Sequence, residues 1–279
     1  MTTTLRPTGP LNESPDGVRS RAYQVCVNSR PVGAVELGTD PSFGPTAGVV
    51  RALRIDEPDR RRGRGTVAAL AAEEVLRGWG CRQVLASTPG DAGTPARMLG
   101  ALGYTERSVN MVKDLPSKAP ELPPGVTERA MTADEFDAWW AGAHALFADS
   151  WASRGMTREQ AAAKAEASRR QALPDGFATP GAAFRVLAAA GAVVGRVWVA
   201  RQEIAPGVPG AYVYEVEVAA PSRGRGYGRS LMGVAERVAL DWGGAALGLH
   251  VFTDNTPAVR LYTSLGYRVT ARHFAKQLL

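Results

Sequence analysis

The run Tyr214-Glu215-Val216-Glu217-Val218-Ala219-Ala220-Pro221-Ser222-Arg223-Gly224-Arg225-Gly226-Tyr227-Gly228 changes its period once, and that change sets the fold. From Tyr212 to Val218 side chains alternate, Val216 and Val218 on one face and Glu215 and Glu217 on the other, which predicts a strand. From Arg229 to Trp242 the apolar residues Leu231, Val234, Ala235, Val238 and Trp242 recur at three and four, which predicts a helix ended by Gly243-Gly244. Strand, glycine-rich turn and helix in that order point several backbone N–H groups at one place, the arrangement that receives a phosphate.

Working outward, Phe184 to Ala190 and Ala192 to Arg201 read as two strands joined at Gly191. After the helix come an apolar strand, Ala246 to Phe252, a short helix, Thr256 to Ser264, then Leu265-Gly266-Tyr267 and a last strand. Strands alternating with helices predict an α/β protein with a mixed sheet. Upstream, Thr132-Ala133-Asp134-Glu135 and Thr157-Arg158-Glu159-Gln160 have capping-box form and predict the starts of two helices. The first carries Phe136, Trp139, Trp140, Ala143 and Phe147, with Trp151 just beyond, a stripe most simply read as core.

The pattern occurs twice. Ala47 to Ile55 leads into Arg61-Arg62-Gly63-Arg64-Gly65 and an apolar-periodic run, and that half ends on Leu102-Gly103-Tyr104 and a strand. Between the halves, Leu115 to Gly125 holds four prolines in eleven residues and reads as a linker. The expected division is 1–115, a linker 116–125, and 126–279. Only the second half has room for the helix pair.

Composition bounds the function. The chain has 279 residues, 45% of them hydrophobic, enough for two domains with cores of their own. A net charge of +6, carried mostly by Arg, suits an anionic partner. The one dense basic run, Arg60-Arg61-Arg62 with Arg64, is offset by Asp56, Glu57 and Asp59, which argues against nucleic acid. Two cysteines, Cys26 and Cys81, supply neither a disulfide framework nor a zinc site, and no metal is expected. With no secretion signal and no long apolar run, the expectation is a cytoplasmic protein without membrane contact, monomeric or homodimeric.

The loop Arg223-Gly224-Arg225-Gly226-Tyr227-Gly228 is neither a P-loop nor a Rossmann fingerprint. Joined to Glu215 and Glu217 before it, and to Asn255, Tyr262 and Leu265-Gly266-Tyr267 after it, it resembles the GNAT superfamily of acyl-CoA-dependent N-acetyltransferases over the whole second half. The resemblance implies two tandem GNAT-like domains, each a mixed, mostly antiparallel sheet flanked by helices. It implies acetyl-CoA as cofactor and a small-molecule primary amine as acceptor.

Transfer from a thioester to an amine needs an anion cradle, a base for the ammonium proton, an oxyanion donor and a proton for the thiolate. The cradle is Arg223, Gly224, Arg225, Gly226, Tyr227 and Gly228. Glu215 or Glu217 is the candidate base, and the pairing of two carboxylates tends to raise one pKa. By resemblance, the backbone near Val218 holds the acetyl carbonyl and Tyr262 is the acid. Asn255 contacts the cofactor or caps the small helix. Trp139, Trp140, Trp151 and His250 are candidates for the acceptor side, each with a plain structural reading beside it. Both cysteines lie in the first half, which favours direct attack in a ternary complex over a covalent enzyme intermediate.

Laid over the second half on the loop and on Leu-Gly-Tyr, the first half puts Arg54 opposite Glu217, Ala52 opposite Glu215, Ala92 opposite Asn255 and Leu99 opposite Tyr262. It puts Val67 opposite Gly228, with the second loop two residues longer on its strand side. The first half is thus expected to be a degenerate, non-catalytic copy. Two further readings stand beside the amine acetyltransferase. One is a mycothiol-synthase-like acetylation of a cysteinyl amino-sugar; the other is a non-enzymatic acyl-CoA-binding regulatory module.

Overall fold

The computed structural model describes residues 2–15, 17–152 and 156–278. The first half runs β1 (Thr3–Pro7), β2 (Asn12–Glu13), β3 (Arg19–Val27), β4 (Arg30–Asp40), β5 (Gly44–Ile55), α1 (Arg64–Gly78), β6 (Gln83–Pro89), α2 (Gly93–Ala101) and β7 (Thr105–Asp114). The second runs β8 (Val126–Ala130), α3 (Ala133–Ala152), α4 (Arg158–Ala172), β9 (Ala182–Ala189), β10 (Ala192–Ala205), β11 (Val208–Val218), α5 (Tyr227–Asp241), β12 (Ala246–Phe252), α6 (Thr256–Ser264) and β13 (Arg268–Gln277). Both capping boxes form. The Thr132 N–H donates to Glu135 Oε2 at 3.0 Å, and the Gln160 N–H to Thr157 Oγ1 at 3.1 Å. No helix among the described residues is long and apolar enough to cross a membrane.

The chain forms two compact units, Met1–Ser108 with Ala271–Leu279, and Val109–Thr270. Each holds a mixed, mostly antiparallel sheet with helices against it. In the first the strand order is β1-β3-β4-β5-β6-β13, with β5 and β6 parallel. In the second it is β7-β12-β11-β10-β9-β8, with β11 and β12 parallel. The proline-rich segment lies inside the second unit and packs on it. The Arg237 guanidinium of α5 donates to the Pro120 carbonyl at 3.1 Å, and Leu115 and Leu122 rest against that unit's core.

The core of the second unit follows from the period of α5. Leu231, Val234, Ala235 and Val238 are buried against Val197, Val199, Leu247 and Leu249 of the sheet. Each of the larger aliphatic side chains contributes about 2 kcal/mol by leaving water. A separate aromatic cluster joins Phe136 and Trp139 of α3 to Phe184 and Trp198 of the sheet. The side chains of Ala143 and Phe147, placed on the same stripe by sequence, lie outside the described residues.

Candidate active site

Two irregularities of the sheet make the site. The parallel ladder between β11 and β12 runs from Gly210 and Ala246 to Val213 and Leu249 and stops there. Beyond it, residues 214–218 have no partner on that side among the described residues. On the other side β11 bulges: Glu215 pairs with Trp198 but Val213 with Val199, so Tyr214 is an extra residue without a partner in β10. The bulge shifts the alternation, and the last residues of β11 reach the mouth of the loop.

Glu215 sits there in partial burial. Burial first, and the charge of Glu217 second, push its carboxyl up to about 7. Glu217 is instead compensated by its cross-strand neighbour, Arg196, whose Nη1 lies 3.4 Å from Glu217 Oε2. Two carboxylates on one strand face, read as interchangeable in the sequence, therefore differ in environment. Tyr262 comes from α6 and is 8% exposed; burial, and then the charge of Glu215, hold its phenol up at about 12. The Glu215 charge thus bears on the titration of Tyr262.

The loop has the backbone of an anion cradle. Gly224 and Gly226 take left-handed conformations, φ 76° and 85°, and Gly226 is the N-cap of α5. Gly228 is needed for closeness: a Cβ there would stand 3.1 Å from Leu261 Cδ2 on α6. Arg223 and Arg225 are exposed, and Arg223 Nε donates to the Val218 carbonyl at 3.3 Å, tying the loop to the end of β11. Tyr227 is half-buried as the first residue of α5. Backbone freedom, closeness and exposed guanidinium groups fit a pyrophosphate-bearing cofactor. Asn255 is the N-cap of α6, its Oδ1 accepting from the Ala258 N–H at 3.3 Å. Among the described residues no three His, Cys, Asp or Glu side chains are grouped to hold a metal.

On the acceptor side the proposed residues fall into two groups. Trp140 stacks on Phe136 at 5.5 Å and meets Trp198 edge-on at 5.8 Å, while Trp139 packs beside them. Trp198 stacks on Tyr214 at 4.5 Å, next in sequence to Glu215. Trp151 meets Phe252 edge-on at 5.2 Å, and His250 also meets Phe252 edge-on, at 5.1 Å. Trp198, Tyr214, Phe252 and Arg196 were not singled out from the sequence. The β10–β11 pairing around the bulge brings Trp198 beside Tyr214 and Arg196 beside Glu217, and Phe252 comes from β12; no spacing within one strand reveals this.

The first unit repeats this frame without its chemistry. Gly63, the N-cap of α1, is left-handed at φ 72°, Arg61 takes φ 57° where Gly224 stands in the second unit, and Arg60 Nε donates to the Ile55 carbonyl at 2.8 Å as Arg223 does to Val218. A Cβ on Gly65 would meet Met98 and Ile55, as one on Gly228 meets Leu261 and Val218. Gly228 therefore corresponds to Gly65 and not to Val67. The two loops are of equal length, and the expected two-residue difference is corrected. Ala52, Arg54, Ala92 and Leu99 do take the places of Glu215, Glu217, Asn255 and Tyr262. A cavity of about 460 Å³ remains there, with Leu53, Ile55, Arg61, Arg64, Met98 and Leu99 in its wall.

A strand-bulge-loop-helix frame with this cradle is that of an N-acetyltransferase. The profile of the acetyltransferase (GNAT) family matches residues 5–104 and 140–267, and the chain belongs to that family, in tandem form. It is 30% identical over 245 residues to mycothiol acetyltransferase of Pseudarthrobacter chlorophenolicus, spanning 84% of this chain and 67% of that one. It is 33% identical over 213 residues to mycothiol acetyltransferase of Thermobispora bispora, spanning 74% and 68%. Among solved structures it is similar to a GCN5-related N-acetyltransferase from Sphaerobacter thermophilus, with TM-score 0.57, 21% identity and 92% and 80% of the two chains covered. It is also similar to a tandem GNAT protein from the clavulanic acid biosynthesis pathway, with TM-score 0.50, 19% identity and 95% and 85% covered. These two likenesses concern the fold.

Proposed function

We propose that the second unit transfers an acetyl group from acetyl-CoA to a primary amine of a small molecule, by direct attack in a ternary complex. The observation that carries this reading is the pairing of Glu215, held up at about 7, with Tyr262, held up at about 12. One group gives up its proton near neutrality and the other keeps it, which is the division of labour between a general base and a general acid.

Acetyl-CoA supplies the activated acyl group. The chain supplies the rest. Arg223, Arg225 and the backbone from Gly224 to Gly228 would hold the pyrophosphate, and the end of β11 near Val218, beyond its ladder with β12, would orient the carbonyl. Glu215 takes a proton from the incoming ammonium. The charge of Glu217, 3.4 Å from Arg196, adds to the burial that keeps Glu215 raised. Tyr262 Oη delivers a proton towards the leaving sulfur.

The first unit, without base or acid, is assigned no catalytic role. Calorimetric titration with acetyl-CoA tests both assignments. One site per chain, followed by turnover with an amine, is expected; two sites would give the first unit a ligand of its own, and none would remove the reading.

A second reading is favoured by the relatives named mycothiol acetyltransferase. In it the acceptor amine belongs to a cysteinyl amino-sugar, and turnover with that compound against simple amines decides between them. Family membership favours either enzyme over the non-enzymatic acyl-CoA-binding module.

A further inference from the structure

The end of the chain is a structural part of the first unit, although it follows the second in sequence. Ala271 to Gln277 pairs antiparallel with β6, from Ala271 opposite Pro89 to Gln277 opposite Gln83, and the Leu278 N–H donates to the Arg82 carbonyl at 2.8 Å. Phe274 is 5% exposed within that unit's core, beside residues such as Leu76, Val84 and Tyr104. Lys276 Nζ lies 2.6 Å from Glu73 Oε2 on α1, where the carboxylate side chain is 4% exposed. Arg272 Nη1 is 2.9 Å from Glu106 Oε2, and its Nε donates to the Gly90 carbonyl at 3.2 Å. His273 Nδ1 shares a 2.8 Å hydrogen bond with Ser87 Oγ.

Removing this segment would leave a bare edge on β6, an apolar void at Phe274 and a buried carboxylate without its cation. An open strand edge offers N–H and C=O groups to any extended peptide. The void and Glu73 would restrict that peptide to one with an aromatic residue two positions before a lysine. The second unit repeats the device with the strand before the linker: Met111 is in its core, and Lys113 pairs with Glu236 at 2.6 Å.

We propose that the first unit carries a strand-binding slot, along β6 and over Glu73, whose occupant is the segment 271–278, held in place by sequence-specific contacts and not only by its covalent tether. The slot accepts the same segment as a free peptide when the tethered copy is weakened.

The test uses the full chain and a fluorescent peptide of residues 271–278. Lys276→Glu sets two carboxylates against each other and loosens the tethered copy; adding Glu73→Lys restores an opposite-charge pair. The peptide is expected to bind the Lys276→Glu chain at one site, at least tenfold more tightly than the wild type or the double variant. Equal binding to all three, or none to Lys276→Glu, overturns the proposal. Should Lys276→Glu fail to fold, it is refolded with and without peptide. Recovery of the native near-ultraviolet dichroism only with peptide supports the slot, and no recovery overturns it.

Discussion

Lys113 on β7 and Glu236 on α5 are 123 residues apart in sequence and 2.6 Å apart in space, with only 1% of the Glu236 side chain exposed. Lys276 and Glu73 make the same pair in the first unit. Tyr267 lies under Lys113, at 6.0 Å from its Nζ, and Tyr104 under Lys276 at 5.5 Å. The two sets stand 163 positions apart residue by residue, as do the two loops. The duplication has kept the buried pair in both units, and Glu215, Glu217 and Tyr262 in one.

From this pair follows a stability prediction. Lys113→Met leaves Glu236 as a buried charge without a partner and is expected to cost about 3–5 kcal/mol in denaturant unfolding. Lys113→Met with Glu236→Leu should recover most of that loss. Equal losses in the single and double variants would show that packing, and not charge, is what the site requires.

Tyr262→Phe keeps the ring packed against Tyr267, 5.8 Å away, and removes only the hydroxyl. Turnover should fall by about 10²-fold, the scale of one general acid, with acetyl-CoA affinity within about twofold of the wild type. Unchanged turnover in steady-state kinetics would remove Tyr262 from the mechanism.

Glu215 must be ionised to act as a base, so kcat/KM should rise with pH through about 7. In Glu215→Gln that limb should disappear and the rate should fall by about 10²-fold, whereas Glu217→Gln should keep the limb and move its midpoint down. A limb that survives in Glu215→Gln would assign the base elsewhere.

The same group makes a stability prediction of opposite sense. Its folded pKa is raised, so the native state holds a proton that the unfolded chain loses near pH 4.5. Glu215 therefore contributes a penalty that grows as pH rises from about 4.5 and is complete above about 7. At its upper bound the penalty is about 3 kcal/mol. Unfolding of Glu215→Gln, compared with wild type at pH 5 and pH 8, should show the variant gaining at pH 8. Equal differences at the two values would refute the raised pKa.

Gly228→Ala and Gly65→Ala make a matched pair. Alanine favours a helix over glycine by up to about 1 kcal/mol. At Gly65 the nearest atom to a new Cβ is Met98 Sδ at 3.5 Å, an ordinary contact, so the first unit should gain stability with activity unchanged. At Gly228 it is Leu261 Cδ2 at 3.1 Å, on the helix that carries Tyr262. There the gain is offset, and activity should fall; Leu261→Ala should restore part of it. Full activity in Gly228→Ala would show that α6 yields without moving its tyrosine.

Local order was legible in the sequence because it is written in short periods. The alternation from Tyr212 to Val218, the three-and-four spacing in α5, the two capping boxes and the glycines of the loop each depend on neighbours within one turn or one strand, and they sufficed for the α/β class and for placing Glu215 and Glu217 on one strand face, whereas Tyr262 was singled out by resemblance to the GNAT superfamily. Two things were settled only by the tertiary structure. The environments of Glu215 and Glu217 differ because a bulge at Tyr214 and a cross-strand arginine, Arg196, treat them unequally, and strand pairing is not a property of either strand alone. The membership of the units likewise escapes composition. A cut at the prolines looks natural along the chain, but Phe274 and Lys276 bury more by joining β6 and Glu73 than proximity in sequence reveals. Burial is decided between segments, and a one-dimensional reading holds only the segments.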